Sequence, residues 1–159
     1  MKLYIKQKVF AISERFTVKD ETGVDRFFVE GSFMRIPKKF VIRNENGEMV
    51  SEIEKQMFRI FSRYDITTPT TDHVELVRRF SFFKSKFEIT GKQWELRGDI
   101  WDHDYSVVYG ERPIMYLRKH WFTWGDSYEL TIPDERDAVL ALSIAIAIDK
   151  EISDDQQSN

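Results

Sequence analysis

The sequence predicts an all-β protein with one central helix: roughly 12 antiparallel strands forming a barrel around a hydrophobic C-terminal α-helix. Three observations support this prediction: short runs of alternating apolar and polar residues, Gly-containing turn signals between the runs, and one wholly apolar stretch near the C-terminus. The 159 residues are about one domain's length. We predict a single domain at 1–152, followed by a disordered acidic tail at 153–159.

The predicted strands are runs in which apolar and polar residues alternate, the pattern of a half-buried strand. Of the 23 aromatic residues, 13 are Phe, which also favours strands. Regular spacing of short strands, about 8–12 residues apart, indicates an antiparallel barrel or sandwich. The runs lie at 14–19, 26–33, 38–43, 48–54, 57–61, 73–83, 86–90, 93–97, 105–109, 114–119 and 127–132.

The predicted turns separate these runs. Asn46-Gly47 lies between two of them and is the strongest short hairpin signal, because both central positions of a type I′ turn need positive φ. Thr22-Gly23 and Asp102-His103-Asp104 are further turn signals.

The predicted helix spans about 135–152. Asp134, Glu135 and Asp137 favour a helix N-terminus, and Lys150 lies near the other end. Between them, Ala138 to Ile148 is apolar on every face, so the helix must be buried on every face. The Ala-Ile alternation at 144–148 also fits a strand, but Ala is a poor strand former. The expected core residues of the helix are Val139, Leu140, Leu142, Ile144, Ile146 and Ile148.

Composition excludes several classes of function. The absence of Cys excludes disulfides, thiolate zinc sites and thiol nucleophiles. The longest apolar stretch has 11 residues, whereas a membrane-spanning helix needs about 20, and the N-terminus lacks the apolar segment of a signal peptide. We therefore expect a cytoplasmic chain that is not transmembrane. His73, His103 and His120 lie in no catalytic motif, so we expect neither an enzyme nor a cofactor.

Several motifs resemble those of the LURP-one-related family, which is grouped with the tubby C-terminal domain and the phospholipid scramblases. They are the segment 29–33 (Val-Glu-Gly-Ser-Phe), the basic strand 38–42, the turn 46–48 and the apolar segment 137–149. Together they are most similar to the short bacterial members. The resemblance implies a 12-stranded barrel around the C-terminal helix. It transfers no binding residues, because tubby's lipid-binding positions do not map onto this sequence one by one.

Two basic clusters are candidate anion-binding sites. Residues 1–120 hold 22 basic and 18 acidic residues, whereas 121–159 hold 2 and 9. This asymmetry suggests an anionic partner for the body of the domain but is too small to indicate nucleic-acid binding. Lys and Arg on a curved sheet could hold phosphate groups, although spread surface charge is the ordinary explanation. The two clusters are Arg35, Lys38, Lys39 and Arg43, and Arg78, Arg79, Lys84 and Lys86.

Two further segments are a candidate cation site at 99–104 and an aromatic segment at 120–124. Asp99, Asp102, His103 and Asp104 offer ligands for a divalent cation, but their spacing matches no established loop and suits a tight turn better. The segment His120-Trp121-Phe122-Thr123-Trp124 fits either insertion at a membrane interface or burial at the end of the barrel, and burial is the more common role of large aromatics.

The function expected from the sequence is a non-enzymatic binding or scaffold module. The candidate partners are anionic phospholipids or phosphoinositides, with peripheral membrane location, or a protein. The alternatives are a scramblase-like lipid-handling protein and an enzyme or carrier with an unrecognised small-molecule pocket.

Overall fold

The fold is a single antiparallel sheet of 12 strands that curls into a nearly closed barrel around one helix. A computed structural model describes residues 1–6, 15–32, 36, 38–80, 85–122 and 125–158, with only the backbone described at 71–72, 121–122 and 125–126. The strands are β1 (Lys2–Lys6), β2 (Arg15–Asp20), β3 (Asp25–Ser32), β4 (Lys39–Asn44), β5 (Met49–Lys55), β6 (Arg63–Thr68), β7 (Thr71–Phe80), β8 (Ser85–Thr90), β9 (Glu95–Asp99), β10 (Asp104–Tyr109), β11 (Arg112–Phe122) and β12 (Gly125–Thr131).

Sequential strands pair with each other from β1 to β8 and from β9 to β12, and β1 pairs with β12 to join the two halves. Strands β8 and β9 are the two edges, and they flank a cleft of about 350 Å³ whose lining includes Phe87, Leu96 and Trp101. The predicted barrel of roughly 12 strands is thus confirmed, with the difference that one pair of neighbours is not hydrogen-bonded.

The barrel is filled by α1 (Ala138–Ser158). A 3-10 turn, Glu135–Asp137, leads into it, and Asp134 caps that turn by accepting a hydrogen bond from the Arg136 backbone N–H. The predicted helix is confirmed, and of its six expected core residues only Val139 is half-buried, while the others are buried: Leu140, Leu142, Ile144, Ile146 and Ile148. Among the described residues, no helix is both long enough and apolar enough to cross a bilayer.

The helix runs on to Ser158, through residues 153–158 where the sequence predicts a disordered tail. The reason is electrostatic, because the acidic side chains of this last stretch find basic partners on the barrel. Asp154 lies 3.5 Å from the Lys55 Nζ, and Asp155 lies 3.0 Å from the Arg78 guanidinium. The polar, acidic composition of residues 153–159 predicts a solvated tail, because the basic partners belong to distant strands and are not apparent from the composition of this segment.

The remaining differences concern strands. The alternating run at 57–61 is not a strand: it lies between β5 and β6 and exposes its apolar side chains. Strands β1 and β6 are not among the predicted runs, although Leu3 and Ile5 in β1 are buried with the expected alternation. At Asn46-Gly47 the predicted hairpin is present, but only Gly47 has positive φ (80°), so the turn is not of type I′.

The strand directions give the barrel two different ends. We call the end where α1 finishes the C-terminal end; strands β3, β5 and β7 end there, and strands β4, β6 and β8 begin there. The helix enters at the opposite end, where β12 finishes. The functional candidates lie mainly at the C-terminal end.

Candidate functional site

The first basic cluster is compensated by acidic residues of neighbouring strands and of the helix. Lys39 Nζ lies 3.0 Å from Glu52 and 3.3 Å from Glu54, and these hydrogen bonds, that of Glu52 first, raise the pKa of Lys39. Lys38 Nζ lies 3.8 Å from Asp154 at the C-terminal end. Arg43 lies at the other end of β4 and donates to the Gly47 carbonyl. Arg35 is outside the described residues.

The second cluster divides between the inside and the outside of the barrel. Arg78 is buried, whereas Arg79 is exposed and paired with Glu88. Lys86 is exposed and forms no ion pair with any described residue, and Lys84 lies outside the described part. The structure therefore does not gather the described members of the two clusters into one patch. Four basic residues of runs that lack acids in sequence have acidic partners from other strands or from the helix: Lys38, Lys39, Arg78 and Arg79.

Arg78 belongs to a buried polar group that sequence reasoning missed, centred on Glu151 of α1. The Glu151 carboxylate accepts hydrogen bonds from Lys55 Nζ at 3.0 Å, from the Tyr64 hydroxyl at 2.9 Å and from Arg78 Nη1 at 3.2 Å. We call Lys55, Tyr64, Arg78 and Glu151 the Glu151 network. Desolvation opposes ionisation of Glu151, but the hydrogen bond from Ser62 and the Lys55 charge outweigh it, so the pKa of Glu151 is lowered.

The Glu151 network supports an aromatic stack at the C-terminal end. The Arg78 guanidinium lies 5.0 Å from the Phe80 ring centre and 5.1 Å from that of Trp101, within cation–π distance of both. Phe80 in turn contacts Phe61, with ring centres 5.9 Å apart. The buried charges thus position side chains that reach the surface.

The surface feature above this stack is the apolar loop, residues 57–61, which connects β5 to β6. Phe58 is 99% exposed and Ile60 is 91% exposed. Arg59 lies between them, and its Nε donates a hydrogen bond to the Gln56 side chain at 2.9 Å. Phe58 also has a φ of 57°, a conformation that is costly for a bulky residue. Ile36, in the connection before the neighbouring strand β4, is 77% exposed.

Three of the four candidate metal ligands at 99–104, namely Asp99, His103 and Asp104, have separate hydrogen-bond partners. The Asp99 carboxylate accepts from the Asp102 backbone N–H, and Asp104 accepts from the Tyr116 hydroxyl. His103 is buried, with its Nε2 2.9 Å from Asp149 of the helix and its ring stacked on Tyr128. The turn predicted at this position is confirmed, with His103 at a φ of 56°. The segment forms a turn in which His103 contacts the helix, and its side chains do not form a group of converging ligands.

The aromatic segment 120–124 falls largely outside the described side chains. Only the His120 side chain is described: it is half-buried, 3.7 Å from the Glu129 carboxylate and edge-on to the Tyr4 ring. The roles weighed for Trp121, Phe122 and Trp124 stay predictions.

The geometry defines a class of protein, a nearly closed 12-stranded antiparallel barrel whose core is its own C-terminal helix. A family model described as LURP-one-related matches residues 1–149. The chain belongs to the LURP-one-related family, as the motifs of the sequence indicate.

Two individual proteins are similar to the chain. The "Uncharacterized protein YxjI" of Bacillus subtilis (strain 168) is 31% identical over 159 residues, which cover all of this chain and 98% of that protein. An X-ray structure of a protein from Arabidopsis thaliana matches with a TM-score of 0.60 at 15% identity, over 92% of this chain and 90% of that chain. At that identity the plant structure supports the fold alone.

Proposed function

We propose that the protein is a non-enzymatic binding module that docks on anionic lipid surfaces through the apolar loop. The observation that carries the proposal is the nearly complete exposure of Phe58 and Ile60 at the tip of one loop. Contiguous exposed apolar side chains mark contact sites for a partner or a membrane.

Exposure of these side chains is a free-energy cost that a lipid surface would remove. Burial of a Phe or Ile side chain is worth about 1.5–3 kcal/mol. The backbone of Phe58 adds a second cost, because its positive φ is unfavourable for a residue of that size. Phe58 thus carries two free-energy costs, an exposed apolar side chain and an unfavourable φ, without contributing to the core. Both costs are consistent with a role in which its side chain contacts a partner.

Charge favours an anionic surface as the occupant. In sequence, the segments 33–38, 56–62 and 81–84, which follow β3, β5 and β7, contain four basic residues and no acid, while Asp154 and Asp155 of the helix are paired with Lys38, Lys55 and Arg78. The connections between strands at the opposite end carry four acids and one basic residue: Glu21, Glu45, Glu48, Glu111 and Lys92. Each Lys or Arg near an anionic leaflet adds about 1 kcal/mol of attraction. Apolar side chains interleaved with cations are typical of peripheral membrane contacts.

The interior of the barrel supports this choice, because α1 fills it. Leu142, Ile144 and Ile146 are fully buried within it. A contact on the outer surface at one end therefore fits the geometry better than a carrier role that needs the barrel's interior.

Vesicle sedimentation tests the proposal. We expect the protein to sediment with vesicles of phosphatidylcholine and phosphatidylserine and to stay in solution with phosphatidylcholine alone. The double variant Phe58→Ser/Ile60→Ser should lose binding. The matched control is Val24→Ser/Met49→Ser, which removes two exposed apolar side chains at the opposite end and should bind like the wild type.

A charge pair of variants tests the electrostatic part. Arg59→Glu should weaken binding to anionic vesicles and make the remainder less dependent on salt, whereas Lys92→Glu, at the opposite end, should not. Equal binding to neutral and anionic vesicles would overturn the choice of an anionic surface. Failure of the wild type to bind any vesicle would overturn the lipid proposal. If the wild type then bound a protein and Phe58→Ser/Ile60→Ser did not, the apolar loop would be assigned to a protein partner.

A further inference from the structure

A second group of polar side chains lies on the outer face of the barrel, on strands β6 and β7. Asp65 and Glu75 are direct partners in the ladder between these strands, and His73 lies two residues before Glu75 on the same face. His73 Nε2 is 2.6 Å from Asp65 Oδ1 and 3.7 Å from Glu75 Oε1. One ligand atom from each of the three residues lies within 4.8 Å of the others.

This arrangement places like charges side by side. The row across the sheet continues from Glu75 and Asp65 to Glu54 of β5, so three carboxylates are in register on three neighbouring strands. Like charges directly opposite each other in an antiparallel pair are destabilising. The Glu54 charge is matched by Lys39, 3.3 Å away, and the Glu75 charge by Arg63, 3.0 Å away, which leaves Asp65 as the carboxylate of the row that has no Lys or Arg partner among the described residues.

We propose that Asp65, His73 and Glu75 form a binding site for a divalent transition-metal ion of the Zn²⁺ or Mn²⁺ type. Zn²⁺ binds His nitrogen and carboxylate oxygen at about 2.0–2.2 Å, and tetrahedral ligands at that distance lie about 3.3 Å apart. The observed separations of 2.6 and 3.7 Å lie on either side of that value, and all three ligand atoms lie within 4.8 Å of one another. Side-chain torsions that turn Glu75 from Arg63 towards His73 would bring the three atoms to a common centre. One imidazole with two carboxylates favours such ions over Mg²⁺ or Ca²⁺, which prefer all-oxygen sites.

The site is coupled to the apolar loop through Gln56. The Gln56 amide Nε2 donates to both Asp65 carboxylate oxygens, at 2.8 and 2.9 Å, while its Oε1 accepts from Arg59 Nε. A metal ion on Asp65 takes the place of the Gln56 amide donor. Metal binding therefore changes the position of Gln56, and with it the hydrogen bond that Gln56 accepts from Arg59 in the apolar loop. This effect does not depend on whether the loop contacts lipid.

Isothermal titration calorimetry of the metal-free protein with ZnCl₂ and with MnCl₂ tests the proposal, with MgCl₂ as the selectivity control. We expect one ion to bind per chain. The dissociation constant for Zn²⁺ or Mn²⁺ should be more than about tenfold larger in His73→Ala and in Asp65→Asn than in the wild type. Glu88→Gln is the matched control: Glu88 is an exposed acid on the outer face of β8, paired with Arg79, and its loss should not alter affinity.

A second readout places the ion. On ¹H–¹⁵N spectra, Zn²⁺ should shift the His73 imidazole and the Gln56 side-chain amide in the wild type. Absence of binding overturns the proposal, and so does equal binding by the wild type and both ligand variants, which would put the ion elsewhere. His73 is exposed and Asp65 is half-buried on the outer face, so the melting temperature of each variant is measured in EDTA, and a value equal to that of the wild type distinguishes loss of affinity from unfolding.

Discussion

Arg78 on β7 and Glu151 on the helix form a buried ion pair, with Nη1 and Oε1 3.2 Å apart and both side chains less than a tenth exposed. The pair connects the last turns of α1 to the wall of the barrel. It also holds the guanidinium against the Phe80 ring, next to the apolar loop. One interaction therefore contributes to the stability of the fold and to the position of the candidate lipid-binding surface.

Removal of one partner of this pair should be strongly destabilising. Arg78→Ala leaves the Glu151 carboxylate buried with a cation missing, which costs about 3–5 kcal/mol in such cases. Arg79→Ala removes the neighbouring arginine, whose exposed pair with Glu88 is worth about 0–1 kcal/mol. Urea unfolding followed by circular dichroism measures both. Equal losses in the two variants would contradict the structural role assigned to Arg78.

The same network predicts how stability depends on pH. The pKa of Glu151 is lowered below its ordinary value of 4.5, so its ionisation stabilises the folded state above that pH, and this contribution is lost as the pH falls through the folded pKa. Wild type should be more stable than Glu151→Gln at pH 7. The difference should shrink below about pH 4.5, where the carboxyl becomes protonated in the unfolded state while it is still ionised in the folded state, and it is lost once the pH has fallen through the folded pKa. A difference that stays constant from pH 7 to pH 3 would contradict this assignment.

A buried hydroxyl pair between the helix and the barrel gives a third prediction. Ser51 Oγ and Ser143 Oγ are 2.7 Å apart, and Ser143 donates to the Val139 carbonyl, so Ser51 is the donor to Ser143. Ser143→Ala leaves the Ser51 hydroxyl buried without its acceptor and should cost about 1–3 kcal/mol.

The double variant distinguishes hydrogen bonding from simple packing. Because Ser51→Ala/Ser143→Ala removes donor and acceptor together, it should be less destabilised than the sum of the two single variants. Chemical denaturation of the four proteins gives the coupling free energy. Additive losses would show that the pair contributes through packing alone.

The fold was predictable because its signals are local. Alternation in the strands and an apolar stretch from Ala138 to Ile148 are visible within short windows of sequence, and both are confirmed. The run at 57–61 shows the limit of this reasoning. It alternates like a strand, but the alternation cannot distinguish side chains that face a core from side chains that face solvent.

The candidate sites were less predictable because they depend on pairing across strands. Lys39 occurs in a run without acids, yet the register of β4 with β5 brings Glu52 and Glu54 to it. Asp65 and His73 are eight residues apart and meet only because β6 and β7 form a hairpin. For the Glu151 network the one sequence signal was Lys150-Glu151, a pair of charges directly after an apolar stretch that must be buried.

The last prediction separates function from stability in the apolar loop. Phe58 has a φ of 57° and an exposed side chain, so Phe58→Asn loses no packing and gains a residue that tolerates the left-handed region. We expect the variant to be about 1 kcal/mol more stable in urea unfolding and to bind anionic vesicles less well.

His103 is the matched comparison for this substitution, because its φ is 56°. His103→Asn relieves the same backbone cost but loses the hydrogen bond to Asp149 and the stacking on Tyr128, so it should be destabilised. Opposite signs for the two substitutions would show that internal packing supports the strained conformation at His103 and not at Phe58. Weaker vesicle binding by Phe58→Asn would then assign the Phe58 conformation to the lipid contact. If Phe58→Asn were instead destabilised to the same degree as His103→Asn, Phe58 would be a structural residue and the apolar loop would lose its main support as a binding surface.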